Sequence, residues 1–292
     1  MSSSNLQTWH QRAIDLDAEG NSWRSIASML LLPKSTVSDF LRSYAPKKMA
    51  VAPSTTSSVK LNRWDDIKEN NSRVLVISDM HVPYQHAFTL DFLAGLKDKY
   101  KPTRVICVGD ELDKHAMSFH DSDPDLDSAG VELEKSRTFI AQVERLFPRM
   151  DIIDSNHGSM VHRKAKHHGI PRHYIKSYND VLGVGNGWKW HYDLTIVLPD
   201  GKPVYFHHGK AADGLKLSQT MGMSCVQGHY HEKFNVQWWA NSLGLYFSMQ
   251  VGCLIDDDSF AFEYNNVNLK RPIIGTGLIV DSRPVLEPMV LA

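Results

Sequence analysis

Short, uninterrupted apolar runs alternate with helical patterns through the middle of this chain, and that alternation narrows the folds it can adopt. Val74–Ile77 and Val105–Val108 are two such runs, and helical spacing of apolar residues follows at about 86–99 and 128–147. A strand that is apolar at every position needs cover on both faces, and intervening helices provide it. The pattern predicts an α/β domain with a sheet buried on both sides.

Strand patterns dominate the chain after about residue 188. We expect strands at Trp190–Leu198, Pro203–Phe206, Cys225–Gln227, Leu245–Leu254 and Gly277–Val280. The composition agrees with a packed core, since 42% of the 292 residues are hydrophobic and 22% are charged. These values exclude a disordered or fibrous chain.

Charge and cysteine usage limit the partners and the compartment. Lys and Arg number 32 against 33 Asp and Glu, which excludes a cationic coat over the whole protein but not a local basic patch. The three cysteines, Cys107, Cys225 and Cys253, show no C-x-x-C spacing, which is typical of thiols in a reducing compartment. No signal-peptide pattern opens the sequence, and no stretch approaches the roughly 18 apolar residues of a membrane span. We therefore expect a cytoplasmic protein that makes no membrane contact.

The chain divides by composition into three parts. Residues 1–44 predict a small all-α domain of three helices, with Ser22 as the N-cap of the second helix and Pro33 in the first turn of the third. Residues 45–60 are rich in Pro, Ser and Thr and predict a flexible linker. Residues 61–292 form the predicted α/β domain.

Polar clusters rich in acids and histidines follow the predicted strands. They are Asp79-Met80-His81, Gly109-Asp110-Glu111-Leu112-Asp113, Ser155-Asn156-His157, His207-His208-Gly209 and Gly228-His229-Tyr230-His231. Ligands gather at the carboxyl ends of strands in open α/β sheets, so the clusters can converge on one site. Residues i and i+2 of an extended segment point to the same side, so D-x-H and H-x-H would each present two groups together. Mixed imidazole and carboxylate ligands suit Zn, Mn or Fe.

These motifs, D-x-H, G-D-x-x-D, N-H, H-G and G-H-x-H in that order, resemble those of the calcineurin-like metallophosphoesterases from about Ser72 to His231. The resemblance implies a four-layer α/β/β/α sandwich that holds two divalent metal ions, with Mn favoured and Fe, Zn or Ni as alternatives. It assigns Asp79, His81 and His231 to the first ion and Asn156, His208 and His229 to the second, with Asp110 bridging both. His208 is chosen over His207 because the family's ligand directly precedes the glycine.

The same resemblance implies catalytic roles beside the metal ions. A metal-bridging hydroxide would attack phosphorus, and His157 would protonate the leaving oxygen as general acid. Asp113 would hydrogen-bond to His157 and hold its tautomer. Lys114 stands where some phosphatases carry a phosphate-binding arginine. A lysine ammonium is a compact charge and lacks the paired N–H groups with which an arginine binds phosphate. The sequence departs from the family at Gly158, where an acidic residue is usual, and this departure bears on the subfamily rather than on the metal site.

Two further features are candidate substrate contacts. Arg163 begins a segment, ending at Lys176, that has five Lys/Arg, three His between them and no acidic residue. We expect it to contact substrate phosphates, with a solvated basic surface as the alternative. His115 follows the second motif and is a candidate for the same role.

The N-terminal helices resemble a helix-turn-helix of the resolvase and transcription-factor kind, through Trp23–Ala27 and Lys34–Leu41. A recognition helix places its early polar residues in the major groove. The candidate DNA contacts are Lys34, Ser35, Thr36, Ser38 and Arg42. Residues 1–60 hold 7 Lys/Arg and 4 Asp/Glu, which gives modest support. The alternative is a small bundle for self-association or protein docking.

These observations together predict a two-metal phosphoesterase tethered to a DNA-binding module. A phosphodiesterase or nuclease that acts on DNA is the first hypothesis, because the module would raise the local DNA concentration and the family includes repair nucleases. A phosphomonoesterase that acts on phosphoproteins or nucleotides is the second, with Asp113 and Lys114 as its support. A DNA-binding regulator with a non-catalytic metal domain is the third.

Overall fold

A computed structural model describes residues 8–44, 70–118, 125–259 and 270–290. The chain divides into two compact units, residues 1–62 and 63–292, and each is described by itself. The predicted linker at 45–60 lies outside the described residues. Within the described ranges, every helix is too short or too polar to cross a membrane.

The first unit contains the three predicted helices, α1 (Thr8–Ala18), α2 (Trp23–Met29) and α3 (Lys34–Tyr44). Helix α2 begins where predicted, because the Ser22 side chain accepts a hydrogen bond from the Ser25 N–H at 3.2 Å. The core of this unit is a cluster of fully or nearly fully buried side chains from all three helices: Ala13, Leu16, Ile26, Ala27, Val37 and Leu41.

The second unit contains two β-sheets. The first has the order β11-β10-β1-β2-β3-β4. Its strands are β1 (Arg73–Ile77), β2 (Arg104–Cys107), β3 (Met150–Ile153), β4 (Trp188–His191), β10 (Gly275–Val280) and β11 (Arg283–Pro288). Strands β1 to β4 are parallel, so their carboxyl ends meet at one edge.

The second sheet has the order β5-β6-β7-β9-β8. Its strands are β5 (Leu194–Val197), β6 (Pro203–His207), β7 (Ser224–Gln227), β8 (Phe234–Asn241) and β9 (Gly244–Val251). Strands β6, β7 and β9 are parallel to one another, and the flanking strands β5 and β8 are antiparallel.

Helices follow the strands of the first sheet. The helices of this unit are α4 (Thr89–Tyr100), α5 (Ala129–Leu146), α6 (Met160–His167), α7 (Tyr178–Leu182) and α8 (Gly214–Met221), with short 3-10 helices at His115–Met117 and Arg172–Tyr174. The sheets share one buried cluster, to which Val76 and Ile106 contribute from the first sheet and Phe206 and Met249 from the second.

The mixed α/β class is confirmed, but one predicted strand is wrong. The apolar alternation from Trp190 to Leu198 predicted one strand, whereas the chain forms β4 in the first sheet and β5 in the second. The two are separated by Tyr192 and Asp193, and this short connection carries the chain from one sheet to the other. A pattern of period two cannot distinguish one strand from two that change sheets.

Candidate metal centre

Two neighbouring loops beyond the strand ends are locked together by backbone hydrogen bonds. The N–H of Asp79 donates to the Gly109 carbonyl at 3.1 Å, and the N–H of His81 donates to the Asp110 carbonyl at 2.9 Å. The N–H of Val82 donates to the Glu111 carbonyl at 3.1 Å. The loop after β1 therefore runs along the loop after β2, and their polar side chains lie close together.

Several candidate ligands have left-handed backbone conformations, which non-glycine residues adopt rarely. The φ angles are 48° at Asp79, 47° at His81, 49° at Asp110 and 69° at His229. Each such residue costs about 1–2 kcal/mol and persists only where the surroundings impose it. The expected reason for D-x-H convergence, an extended segment, is therefore wrong. The side chains converge because the backbone turns at each of these residues.

Asp79, His81 and His231 form the first group of candidate ligands. Oδ1 of Asp79 lies 3.1 Å from Nε2 of His231 and 3.9 Å from Nε2 of His81. The Asp79 carboxylate also accepts hydrogen bonds from the Ser78 hydroxyl and from the His229 N–H. Burial alone would raise the pKa of Asp79, but the hydrogen bonds of His231 and His81 hold it well below its ordinary value.

Asp110, His208 and His229 form the second group. Oδ2 of Asp110 lies 3.1 Å from Nε2 of His208, and the rings of His208 and His229 are 4.9 Å apart. Asn156, the remaining candidate ligand, lies beside them, with its Oδ1 at 2.8 Å from Nε2 of His208. The structure thus brings together all seven candidate ligands.

The Asp110 carboxylate lies between the two groups. Its Oδ2 is 3.5 Å from Nε2 of His81 and 3.1 Å from Nε2 of His208. Asp110 is almost completely buried, so its charge is poorly screened by water. A carboxylate has two oxygens with several lone pairs and can serve two cations at once.

The donor set fits divalent cations. Nδ1 of His208 hydrogen-bonds to the Val108 carbonyl at 2.8 Å, so Nδ1 must carry the proton. The contact between Nε2 of His208 and the Asp110 carboxylate therefore requires positive charge, supplied either by a proton on Nε2 or by a cation held by both groups. Burial opposes a charge on His208, but Asp110 raises its pKa to about 9.

His157 lies beside both groups. Its ring centroid is 4.6 Å from that of His81, and its backbone N–H donates to Oδ1 of Asp110 at 3.2 Å. Nδ1 of His157 hydrogen-bonds to the backbone carbonyl of Asp113. The carbonyl can only accept, so Nδ1 is the donor and Nε2 is left for proton exchange.

Asp113 hydrogen-bonds to His157 as expected, but through its backbone carbonyl rather than its side chain. The Asp113 carboxylate instead lies 2.7 Å from Nδ1 of His81 and 3.7 Å from Nδ1 of His157. Asp113 therefore orients a candidate metal ligand, and only its backbone carbonyl fixes the tautomer of His157. The cause is the backbone course: the loop after β2 runs directly along His81.

Lys114, the predicted phosphate contact, lies inside the protein next to the ligand loops. Its side chain is buried, and Nζ donates to the carbonyls of His157 at 2.9 Å and Gly158 at 2.7 Å. A φ of 59° at Lys114 turns it inward, where the buried carboxyl of Glu111 attracts it. Burial lowers the pKa of Lys114. Lys114 fixes the loop that carries Asn156 and His157.

The other two candidate substrate contacts lie at the border of the centre. Nη1 of the exposed Arg163 donates to the Asn156 carbonyl at 3.3 Å. Nδ1 of His115 lies 3.8 Å from Oδ2 of Asp113. Both residues are therefore next to the ligand loops.

The candidate DNA contacts lie in the first unit, on α3. Lys34, Ser35 and Thr36 are exposed in its first turn. The Ser38 hydroxyl donates to the Ser35 carbonyl at 2.9 Å and is therefore partly engaged within the helix. Arg42 belongs to the same helix, and its side chain lies outside the described part of the structure.

Sequence reasoning missed two residues that shape the centre. The Ser155 hydroxyl accepts hydrogen bonds from the N–H groups of Asp110 at 3.1 Å and Gly158 at 2.9 Å, so it joins two ligand loops. Gly228 has no room for a side chain, because a Cβ there would lie 1.8 Å from Oγ of Ser78 and 2.3 Å from Oδ2 of Asp79. Both residues belong to the quoted motifs, but nothing in the sequence indicated these contacts.

The sequence matches no protein-family model and no curated protein. Among solved structures, vacuolar protein sorting 29 from Cryptosporidium parvum is 14% identical, with a TM-score of 0.40, and the match covers 75% of this chain and 96% of that one. YfcE, a phosphoesterase from E. coli, is 10% identical over 71% of this chain and 87% of its own, with a TM-score of 0.39. The nuclease MPE from Pseudomonas putida is 12% identical over 73% and 87%, with a TM-score of 0.33. Similarities this weak assign neither a family nor a function to the chain.

Replacement of Lys114 tests its role in holding the ligand loop. Lys114→Met keeps much of the volume but removes the charged donor that joins the His157 and Gly158 carbonyls, so we expect the free energy of unfolding to fall by about 1–3 kcal/mol. The affinity for Mn²⁺ should fall about 10-fold or more, as is typical when a group that orients ligands is lost. Chemical denaturation and isothermal titration calorimetry measure the two effects.

Lys97→Met is the matched control. Nζ of Lys97, on α4, donates to the carbonyl of Leu146, on α5, at 2.9 Å, and both residues lie outside the ligand loops. This variant should lose stability without a change in Mn²⁺ affinity. Equal Mn²⁺ affinity in Lys114→Met and the parent protein would contradict the assigned role.

Proposed function

We propose that this protein is a metal-dependent phosphoester hydrolase with two divalent ions at the candidate centre. The observation that carries the proposal is the buried Asp110 carboxylate, whose Oδ2 lies 3.5 Å from Nε2 of His81 on one side and 3.1 Å from Nε2 of His208 on the other. Asp79, His81 and His231 would hold one ion, and Asn156, His208 and His229 the other, with Asp110 shared. Mn²⁺ suits this mixture of nitrogen and oxygen ligands, and Fe, Zn and Ni are the alternatives.

The finer fold assignment belongs to the same proposal. Helices α4 and α5 contribute side chains to the cluster on the outer face of the first sheet, and Leu217 of α8 packs on Tyr205 and Cys225 of the second. This arrangement supports the four-layer α/β/β/α sandwich of the calcineurin-like metallophosphoesterases.

Two bound cations would supply charge neutralisation for phosphate oxygens and lower the pKa of water at the centre. The protein's own groups complete the chemistry. His157, held by the Asp113 carbonyl at Nδ1, offers Nε2 as the site from which a proton passes to the leaving oxygen. The Lys114 ammonium and the Ser155 hydroxyl hold the loop of His157 in place. Asp113 orients the ring of His81.

A diester substrate is favoured over a monoester. The monoester hypothesis depended on Asp113 and Lys114 as partners of His157 and of phosphate. The Asp113 carboxylate is engaged with His81, and Nζ of Lys114 is engaged with two carbonyls. Neither side chain is then available to contact a terminal phosphate, which carries one more negative charge than a diester.

DNA is the proposed diester substrate, and the first unit is the proposed tether. Three helices with exposed Lys34, Ser35 and Thr36 at the start of α3 support a helix-turn-helix role. Delivery of DNA to the centre by the first unit would raise the local substrate concentration. The regulator hypothesis differs in one respect, because it requires a metal centre without turnover.

Metal-dependent turnover tests the proposed reaction. Protein stripped of metal should hydrolyse bis(p-nitrophenyl) phosphate only after Mn²⁺ is added, and faster than p-nitrophenyl phosphate. His157→Ala should lower the cleavage rate of a thymidine dinucleotide about 10²- to 10⁴-fold, because its alkoxide leaving group needs a proton, and should affect the p-nitrophenyl diester less, because p-nitrophenolate leaves without one. Release of p-nitrophenol and chromatography of the dinucleotide give the rates.

His86→Ala is the control, since His86 lies on the same loop as His81 but bonds to the backbone of Phe88. It should retain the parent rate. Preference for the monoester would refute the diester proposal. A Mn²⁺-loaded protein without turnover of either compound would favour the regulator.

Duplex binding tests the tether. In the full chain with chelator present, Lys34→Gln should reduce the slope of log K against log salt by about 0.9, because one phosphate contact is lost. Fluorescence anisotropy with a labelled duplex measures it, and exposed Lys216 on α8 supplies the control Lys216→Gln. An unchanged slope in Lys34→Gln would remove α3 from the interface.

A further inference from the structure

One segment of the second unit concentrates positive charge and contains no acidic residue. Residues 160–176, here called the basic segment, comprise α6, the 3-10 helix Arg172–Tyr174 and the residues that join and follow them. Its cations are Arg163, Lys164, Lys166, Arg172 and Lys176, and its histidines are His162, His167, His168 and His173. Since the whole chain has nearly equal numbers of cations and anions, this is a local accumulation.

The basic segment begins at the candidate metal centre. Helix α6 starts at Met160, whose N–H donates to the His157 carbonyl. Nη1 of Arg163, on the first turn, donates to the Asn156 carbonyl at 3.3 Å. The chain then reverses after α6, where the N–H of Ile170 donates to the Ala165 carbonyl, and the 3-10 helix packs back against α6.

The outer cations of the basic segment are available to a ligand. Lys166, Arg172 and Lys176 are exposed, and among the described residues their side chains have no hydrogen-bond or ion-pair partner. Other exposed cations of the second unit are paired, such as Lys99 with Glu287 and Lys135 with Asp127, while Lys189 and Lys216 are exposed singly on β4 and α8. Exposed cations gathered in one segment are the electrostatic footprint expected for a phosphate backbone.

An exposed aromatic ring lies among these cations. Tyr174 is 82% exposed, between Arg172 and Lys176, and nearby Ile170 is also exposed. A ring that stays in water gains nothing from folding, but an unpaired base can stack on it. Paired bases are stacked inside a duplex and cannot use such a ring.

We propose that the basic segment binds single-stranded nucleic acid and leads it into the metal centre, with Lys166, Arg172 and Lys176 on the phosphates and Tyr174 under a base. This inference rests on the proposed function, because it specifies that the diester substrate enters the metal centre as a single strand. It differs from the tether, which would contact duplex through α3.

Binding of a fluorescein-labelled oligothymidine to the full chain tests the proposal, with chelator present so that no turnover occurs. Lys166→Gln/Arg172→Gln should reduce the slope of log K against log salt by about 1.4, at about 0.7 for each phosphate contact on a single strand. The control Lys189→Gln/Lys216→Gln removes two exposed cations on β4 and α8 and should leave the slope unchanged. Tyr174→Leu should weaken binding about 10-fold at constant slope, and Tyr174→Phe should retain it.

Three results would overturn the proposal. Equal slopes for the two double variants would exclude the basic segment as the phosphate contact. Equal loss of affinity for oligothymidine and for a duplex in Tyr174→Leu would exclude base stacking. The third result is that polyglutamate of equal charge displaces the oligothymidine and that Tyr174→Leu does not change the affinity for polyglutamate. It would assign the basic segment to an acidic protein partner. Failure of the proposed hydrolase function is distinguishable from these results, because it would appear as absence of Mn²⁺-dependent hydrolysis of bis(p-nitrophenyl) phosphate.

Discussion

The hydrogen bonds between the loop after β1 and the loop after β2 are the constraint on which the candidate centre depends. They hold Asp79 and His81 against Asp110 at the carboxyl edge of the first sheet. Left-handed backbone at these three residues costs about 1–2 kcal/mol each, a large amount against a typical domain stability of about 5–15 kcal/mol. Cations that bind only the folded form would offset this cost.

The buried groups around the ligands form a supporting layer. Asp113 holds His81, the Val108 carbonyl holds His208, and Lys114 holds the loop of Asn156 and His157. Each of these contacts fixes an orientation rather than providing a ligand. Chemistry that depends on sub-ångström placement requires such support, because ligands free to rotate would not present their lone pairs to the same point.

The motifs predicted which residues come together, because order along the chain and position after strands suffice to place residues at one sheet edge. His208, rather than His207, lies against Asp110 as the following glycine indicated, while His207 packs near Tyr205. The directions of Asp113 and Lys114 could not be predicted, since they follow from left-handed turns and from a buried carboxyl at Glu111. The transition from β4 to β5 was also hidden, because alternation continues through it. The roles of Lys34, Ser35, Thr36 and Arg42 remain predictions.

The central claim is that one carboxylate, that of Asp110, serves two metal ions. A crystal of the full chain grown with Mn²⁺, with anomalous scattering collected at the manganese edge, tests it most directly. The account predicts two anomalous peaks, one between Asp110 and His81 and the other between Asp110 and His208, each within bonding distance of the Asp110 carboxylate. A single peak, or two peaks of which one does not touch Asp110, would contradict it.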